Sequence, residues 1–172
     1  MDMETTSRTE TLKQKIEGGK YLTFVLGHEE YGLEILKVRE IMGVVEITSV
    51  PQMPHDVKGV INLRGTVIPI VDLRLKFGLA PREYDKETCI IVVNVAHALM
   101  GIVVDTVSEV LDIAGKDIDE PPQFGGTVDT SFIRGIGKVK GKVKILLDVE
   151  KVLTADLAMI PDMVHEATAA AA

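Results

Sequence analysis

Tryptophan is absent from this chain of 172 residues, and aromatic residues of every kind make up only 4% of it. A core with so few rings must be built from Val, Ile and Leu, a set whose β-branched members favour strands. There is one cysteine, Cys89, which excludes an internal disulfide. Within Thr88-Cys-Ile-Ile-Val-Val93 it reads as a strand residue facing a core, not as a redox centre. The histidines are few as well: His28, His55, His97 and His165 all stand outside metal-ligand spacing of another His or Cys. No metal and no other cofactor is expected. The Gly-x-Ser-x-Gly elbow, the phosphate-binding Gly-Lys-Ser/Thr loop and the dinucleotide fingerprint are all missing, which removes the common hydrolase, NTPase and dehydrogenase readings. Positive charge is in deficit, with 19 Lys and Arg against 26 Asp and Glu and a net charge of −7. Long-range electrostatics therefore repel nucleic-acid phosphates and anionic lipid. No apolar run reaches the roughly 18 residues needed to cross a bilayer, and the N-terminus lacks a signal peptide's apolar core. The expectation is a cytoplasmic protein that does not insert into membranes.

What the chain does have is a repeat. Tyr31-Gly-Leu-Glu-Ile-Leu-Lys-Val-Arg-Glu-Ile-Met42 aligns with Met100-Gly-Ile-Val-Val-Asp-Thr-Val-Ser-Glu-Val-Leu111 at an offset of 69, matching Gly32 with Gly101, Val38 with Val107 and Glu40 with Glu109. Lys58-Gly-Val-Ile-Asn-Leu-Arg-Gly-Thr-Val-Ile-Pro-Ile-Val-Asp-Leu73 aligns with Arg134 to Val149 at an offset of 76, matching Gly59 with Gly135, Gly65 with Gly141 and Asp72 with Asp148. The rise from 69 to 76 places seven extra residues between the blocks of the second copy. The spacing is too long for a solenoid unit. Chance alignment of valine-rich strands is the bland alternative, but glycine and aspartate in register favour two related small subdomains, each near the lower size limit for an independent core.

Turn signals and apolar runs divide the chain into a flexible N-terminal arm (1–18), a first β-barrel subdomain (19–84), a second (85–153), a C-terminal helix (149–160) and a tail (161–172). These boundaries are approximate and leave open an exchange of strands between subdomains. Tyr21 to Leu26 and Tyr31 to Leu36 read as a hairpin, and Val38 to Val50 as an apolar stretch broken by Pro51 and Pro54. Gly59 to Asn62 and Thr66 to Val71 read as strands around Leu63-Arg64-Gly65, with a helical turn over Leu73 to Phe77. Cys89 to Val95 and Gly101 to Leu111 follow. Gly115 to Gly126 is expected to be a loop without regular structure, Phe132 to Ile136 and Val143 to Leu147 the last strands, and Val149 to Met159 a helix capped by Asp148. The fold class expected is all-β: two small antiparallel barrels in tandem with a C-terminal helix.

One catalytic idea arises from the repeat. Paired barrels that each supply an aspartate are the plan of carboxylate-dependent hydrolases, and Asp72 and Asp148 are equivalent. Neither lies in an Asp-Thr/Ser-Gly loop, and Asp105-Thr106 is followed by Val107 instead of glycine, so capping of the following turn or helix is the simpler role. Other residues suggest contact with a partner. In Val38-Arg-Glu-Ile41, Val38 and Glu40 share a strand face. An Arg64 that reaches Glu40 sets a guanidinium fork beside an apolar patch, either as an ordinary surface ion pair or as a specificity element. Phe124, in a loop rich in Pro and Gly, either folds back on its barrel or anchors a partner.

Tyr31-Gly-x-x-Ile-x-x-Val-x-Glu-Ile41, Lys58-Gly-Val-Ile-Asn-Leu-Arg-Gly65, Val67-Ile-Pro-Ile-Val-Asp-Leu-Arg74 and Gly101-Ile-Val-Val-Asp-x-Val-Ser-Glu-Val110 together resemble the CheW family, the adaptors of bacterial chemotaxis, from about Lys20 to Leu153. The resemblance implies two five-stranded SH3-like barrels with an apolar seam, and an adaptor, not an enzyme. It implies coupling of the cytoplasmic tip of chemoreceptors to the regulatory domain of the histidine kinase CheA, in signalling arrays. It assigns receptor or kinase contact to Val38, Glu40, Gly59, Arg64 and Val110, and an array contact to Phe124. Around Phe124 the chain departs from the family pattern: Asp119 stands where some relatives carry a basic residue, and Glu120 replaces a proline. Two rival readings are an isolated CheA-type regulatory domain and a hydrolase using Asp72 and Asp148.

Overall fold

A computed structural model describes residues 18–121 and 131–159. Hairpin β1 (Gly19–Leu26) and β2 (Glu29–Glu34) leads through a 3-10 turn (Ile35–Lys37) to β3 (Val38–Gly43). A second hairpin, β4 (Val57–Leu63) and β5 (Thr66–Asp72), is followed by the one-turn helix α1 (Leu73–Lys76). The second copy runs through β6 (Cys89–Val95), β7 (Ala98–Val104), β8 (Thr106–Ile113), a 3-10 turn (Gly115–Asp117), β9 (Ile118–Asp119), β10 (Ile133–Val139) and β11 (Lys142–Leu147) to helix α2 (Val149–Met159). The architecture is all-β, two SH3-like barrels with a C-terminal helix.

The strands do not divide where the chain does. One sheet has the order β8-β1-β2-β11-β10-β9 and the other β3-β6-β7-β5-β4; they are called here the first and second barrel. The hairpin that opens each copy is joined in parallel to the hairpin that closes the other copy, Gly32 opposite Leu146 and Gly101 opposite Ile70. Residues 19–84 and 85–153 are therefore not two self-contained barrels. The repeat explains the exchange, because equivalent edges are interchangeable, and the glycines show how closely the strands meet. A Cβ on Gly32 would lie 2.8 Å from Leu146 Cδ2, and one on Gly101 would lie 2.5 Å from Ile70 Cδ1.

Each barrel is closed by a short segment after its edge strand. In the second barrel Thr48 and Val60 exchange backbone hydrogen bonds of 2.9 Å each, and in the first Asp119 pairs with Ile136. These contacts are equivalent in the repeat. They correct the expectation of a structureless loop from Gly115 to Gly126: Ile118 and Asp119 form a strand because β10 needs a partner to complete the barrel. Similarly, Gly101 to Leu111 is two strands broken at Asp105, where the chain passes from one barrel to the other, and Val38 to Val50 leaves the sheet after Gly43.

Strands buried on both faces read as continuous apolar runs, and the clusters show why these are buried twice. Along β6, Ile90 and Val92 point into the second barrel, while Ile91, Val93 and Val95 point into the seam between barrels. The seam also takes Leu22, Phe24, Leu26 and Leu33 from the first barrel, Met100, Ile102 and Val104 from β7, and Val149, Val152 and Leu153 from α2. At about 1.5–3 kcal/mol for each fully buried side chain of this size, the seam makes the two barrels one folding unit.

Candidate functional site

β3 is the first strand of its sheet, and its side chains alternate between half-buried Val38, Glu40 and Met42 and exposed Arg39, Ile41 and Gly43. Val38 and Glu40 thus share the face expected of them. The pairing with β6 slips register between Val38 and Glu40, which lets the strand pass from the seam, where Val38 packs, to the barrel interior, where Met42 packs. β8 repeats the device: its pairing with β1 slips between Leu22 and Phe24, Val107 packs on the seam, and Leu111 packs inside the first barrel.

Arg64 and Gly65 form a two-residue turn between Leu63 and Thr66, with φ of 51° and 89°. Such left-handed pairs match strand twist in tight hairpins, and Asn62 Oδ1 supports the turn by accepting from Gly65 N at 2.7 Å. The turn carries the Arg64 guanidinium to Glu40: Nη2 donates to Oε2 at 2.6 Å, and Nη1 approaches Oε1 at 3.4 Å. The fork holds the Glu40 carboxyl below the usual carboxylate range and raises the already basic guanidinium. It spans the two ends of the sheet order, from β3 to the β4–β5 turn. Arg64 is 72% exposed, so the pair adds little to stability; what it provides is a fixed charged surface on the edge strand, with exposed Ile41 on the opposite face of β3.

Gly59 answers to a different demand. Its φ is +145°, and a Cβ there would lie 2.0 Å from Thr48 O, so only glycine permits the backbone approach that shuts the second barrel. Val110 lies on β8 of the first barrel, 50% exposed. Its equivalent in the first copy is Ile41, 44% exposed, a residue the sequence reading passed over although the offset of 69 from Val110 leads directly to it. Leu36, 89% exposed on the turn before β3, was also missed. The fold thus brings Glu40 and Arg64 into contact, sets Val38 beside them on the same strand, and puts Val110 on the other barrel. Phe124 lies outside the described residues.

The carboxylates weighed for catalysis act as helix caps. Asp72 Oδ1 accepts from Arg74 N at 2.9 Å and from Leu75 N at 3.4 Å, while Oδ2 accepts from Tyr84 Oη at 2.7 Å. Asp148 Oδ1 accepts from Lys151 N at 3.2 Å at the start of α2. Asp105 accepts from Gly27 N and from Arg74 and Arg82. Cys89, partly buried, donates weakly to Glu87 O at 3.3 Å.

A family model described as a CheW-like domain matches residues 20–157, nearly all of the described chain. The chain belongs to the CheW-like family. Among CheW relatives, the chemotaxis protein CheW of Klebsiella aerogenes is 42% identical over 147 residues, covering 86% of this chain and 89% of that one. CheW of Rhizobium meliloti is 35% identical over 149 residues, covering 86% and 96%. Among solved structures, the scaffolding protein TtCheW from Thermoanaerobacter tengcongensis superposes with a TM-score of 0.73 at 38% identity, covering 79% of this chain and 92% of that one. The CheW family is one of chemotaxis scaffolds, the class to which the four sequence motifs pointed.

Proposed function

We propose that this CheW-like chain couples the cytoplasmic tip of chemoreceptors to the histidine kinase CheA, at receptor arrays on the cytoplasmic side of the membrane. The observation that carries this reading is the Glu40–Arg64 fork at 2.6 Å on the edge strand β3. A bidentate pair held in one orientation on a strand that borders the seam is suited to recognition by a partner that touches both barrels. Val38, Glu40, Gly59 and Arg64 form its part on the second barrel, and Val110 its part on the first. Gly59 contributes by keeping that barrel closed beneath the fork. Phe124 is assigned to contacts between neighbouring complexes in an array. Coupling requires only that the surfaces meet differently in the two signalling states, because differential affinity alone shifts the kinase equilibrium.

The test is the affinity of Arg64→Ala and Glu40→Ala for a receptor-tip fragment and for the kinase regulatory domain, by calorimetry. A loss of tenfold or more for at least one partner, with an unchanged melting temperature, is expected. Unchanged affinity for both partners in both variants removes the fork from the site.

A further inference from the structure

We propose that Asp105 is the positioning residue that fixes the angle between the two barrels, and with it the geometry met by any partner that touches both. Among the described residues the chain passes between barrels twice, from β2 to β3 through Ile35–Lys37 and from β7 to β8 through Asp105. The second passage is a single residue, and it is tied to both sides. Toward the first barrel, Asp105 N donates to Val25 O at 3.1 Å, and Oδ2 accepts from Gly27 N in the β1–β2 turn at 2.8 Å. Toward the second barrel, the same Oδ2 accepts from Arg74 Nη1 at 2.6 Å and from Arg82 Nη1 at 3.4 Å.

The carboxylate is only 6% exposed, so little water competes for these charge-assisted bonds. Arg74 is itself held. Its Nε donates to Ala80 O at 2.9 Å, and its backbone N is capped by Asp72, whose other oxygen is taken by Tyr84. One oxygen therefore joins a turn of the first barrel to a rigid corner of the second. The seam beside it is largely aliphatic, and apolar contact has no preferred direction, so outside the stacked rings of Phe24, Tyr31, Phe77 and Phe132 it resists separation of the barrels more than rotation of one against the other. Among the described residues the other passage has no such clamp. Leu36, which occupies Asp105's place in the repeat, points into solvent, and the nearby Lys37–Glu150 pair is 38% and 49% exposed.

The consequence for a partner rests on the adaptor reading, which puts contact residues on both barrels, but the clamp does not. The test therefore needs no partner. Spin labels at Glu46→Cys on the second barrel and Lys142→Cys on the first, in a Cys89→Ser background, report the inter-barrel distance by double electron–electron resonance. The parent is expected to give one narrow distance. Asp105→Asn, and Arg74→Gln as a second variant that keeps the Gly27 hydrogen bond, are expected to broaden or shift it while still melting cooperatively, and Lys37→Ala at the other passage to leave it unchanged. A parent-like distribution in either clamp variant overturns the proposal. So does equal broadening in Lys37→Ala, or failure of both clamp variants to fold, since Asp105 is then a folding residue and not a positioning one.

Discussion

Inside the second barrel the cluster is aliphatic throughout: Ile61, Ile68, Ile70, Ile90, Val92 and Val103. At the equivalent positions the first barrel has Gly137, Lys144, Leu146, Tyr21, Thr23 and Glu34. Each polar replacement has a partner. Lys144 forms an ion pair with Glu30, Arg134 donates to Tyr21 Oη at 3.4 Å and pairs with Glu34 at 3.3 Å, and Thr23 both donates to Glu109 O and accepts from Glu109 N, serving backbone groups at the register slip of β8. The pair of barrels shows that duplication preserved what the backbone needs, the joint glycines, the closing contacts and the capping aspartates, while side-chain chemistry diverged wherever hydrogen bonds could replace apolar burial. Their surfaces diverged too: Glu40 and Arg64 are forked together, whereas the equivalent Glu109 and Lys140 form no ion pair with each other among the described residues.

The strongest way to break the comparison is at the closure of the second barrel. Gly59→Val forces a side chain onto Thr48 O at a backbone angle few L-residues adopt, and is expected to cost more than about 3 kcal/mol. Gly141→Ala, in the hairpin turn of the first barrel with nothing within 4 Å of the added carbon, is expected to cost about 1 kcal/mol from its positive φ alone. Urea unfolding midpoints read both, and equal losses would contradict the closure argument. Next is the interior. Ile68→Ala is expected to lose about 2–5 kcal/mol, whereas the paired change Lys144→Met with Glu30→Gln is expected to be neutral or stabilising, because burying an ion pair recovers little of its desolvation. A loss from the double variant as large as that from Ile68→Ala would mean that the ion pair specifies the first barrel.

The smallest effect concerns α2, which is anchored by Asp156 to Lys76 of α1 at 2.7 Å, with Asp56 on the same ammonium at 3.4 Å. Burial, opposed by Lys76 and reinforced by Asp56, leaves the Asp156 carboxyl above its ordinary value of 3.8. The folded state then holds a proton that the unfolded state has released, so this contribution is full below that ordinary value and is lost as pH rises through the raised one. Asp156→Asn is expected to flatten the fall in urea midpoint just above pH 3.8. A pH profile identical to the parent's would remove the carboxyl from the account.

The sequence carried much of this. Strand positions follow from β-branched runs between glycine turns, and the repeat offset that pairs Gly32 with Gly101 also identifies the residues where, within each barrel, one copy of the repeat meets the other. The fork between Glu40 and Arg64 was legible because a strand face and a tight turn constrain where side chains point. What was not legible is the partnering of hairpins. An offset says that Leu146 corresponds to Ile70, but not that Gly32 sits against Leu146 instead of Ile70, because equivalent edges present the same pattern. Gly59 illustrates a different gap: its requirement comes from Thr48, eleven residues earlier in the chain, through a backbone contact that leaves no side-chain signature. Asp105 was noticed for its neighbour Thr106, while its partners Gly27, Arg74 and Arg82 are distant in sequence.

The adaptor reading stands most directly on a three-component binding experiment: purified chain, immobilised receptor-tip fragment and kinase regulatory domain, with retention of the kinase domain on the receptor measured as the chain is titrated in. Retention that rises with the chain, and that falls at least tenfold when Arg64→Ala replaces it, is the predicted result. Kinase-domain retention that is the same with and without the chain would contradict it.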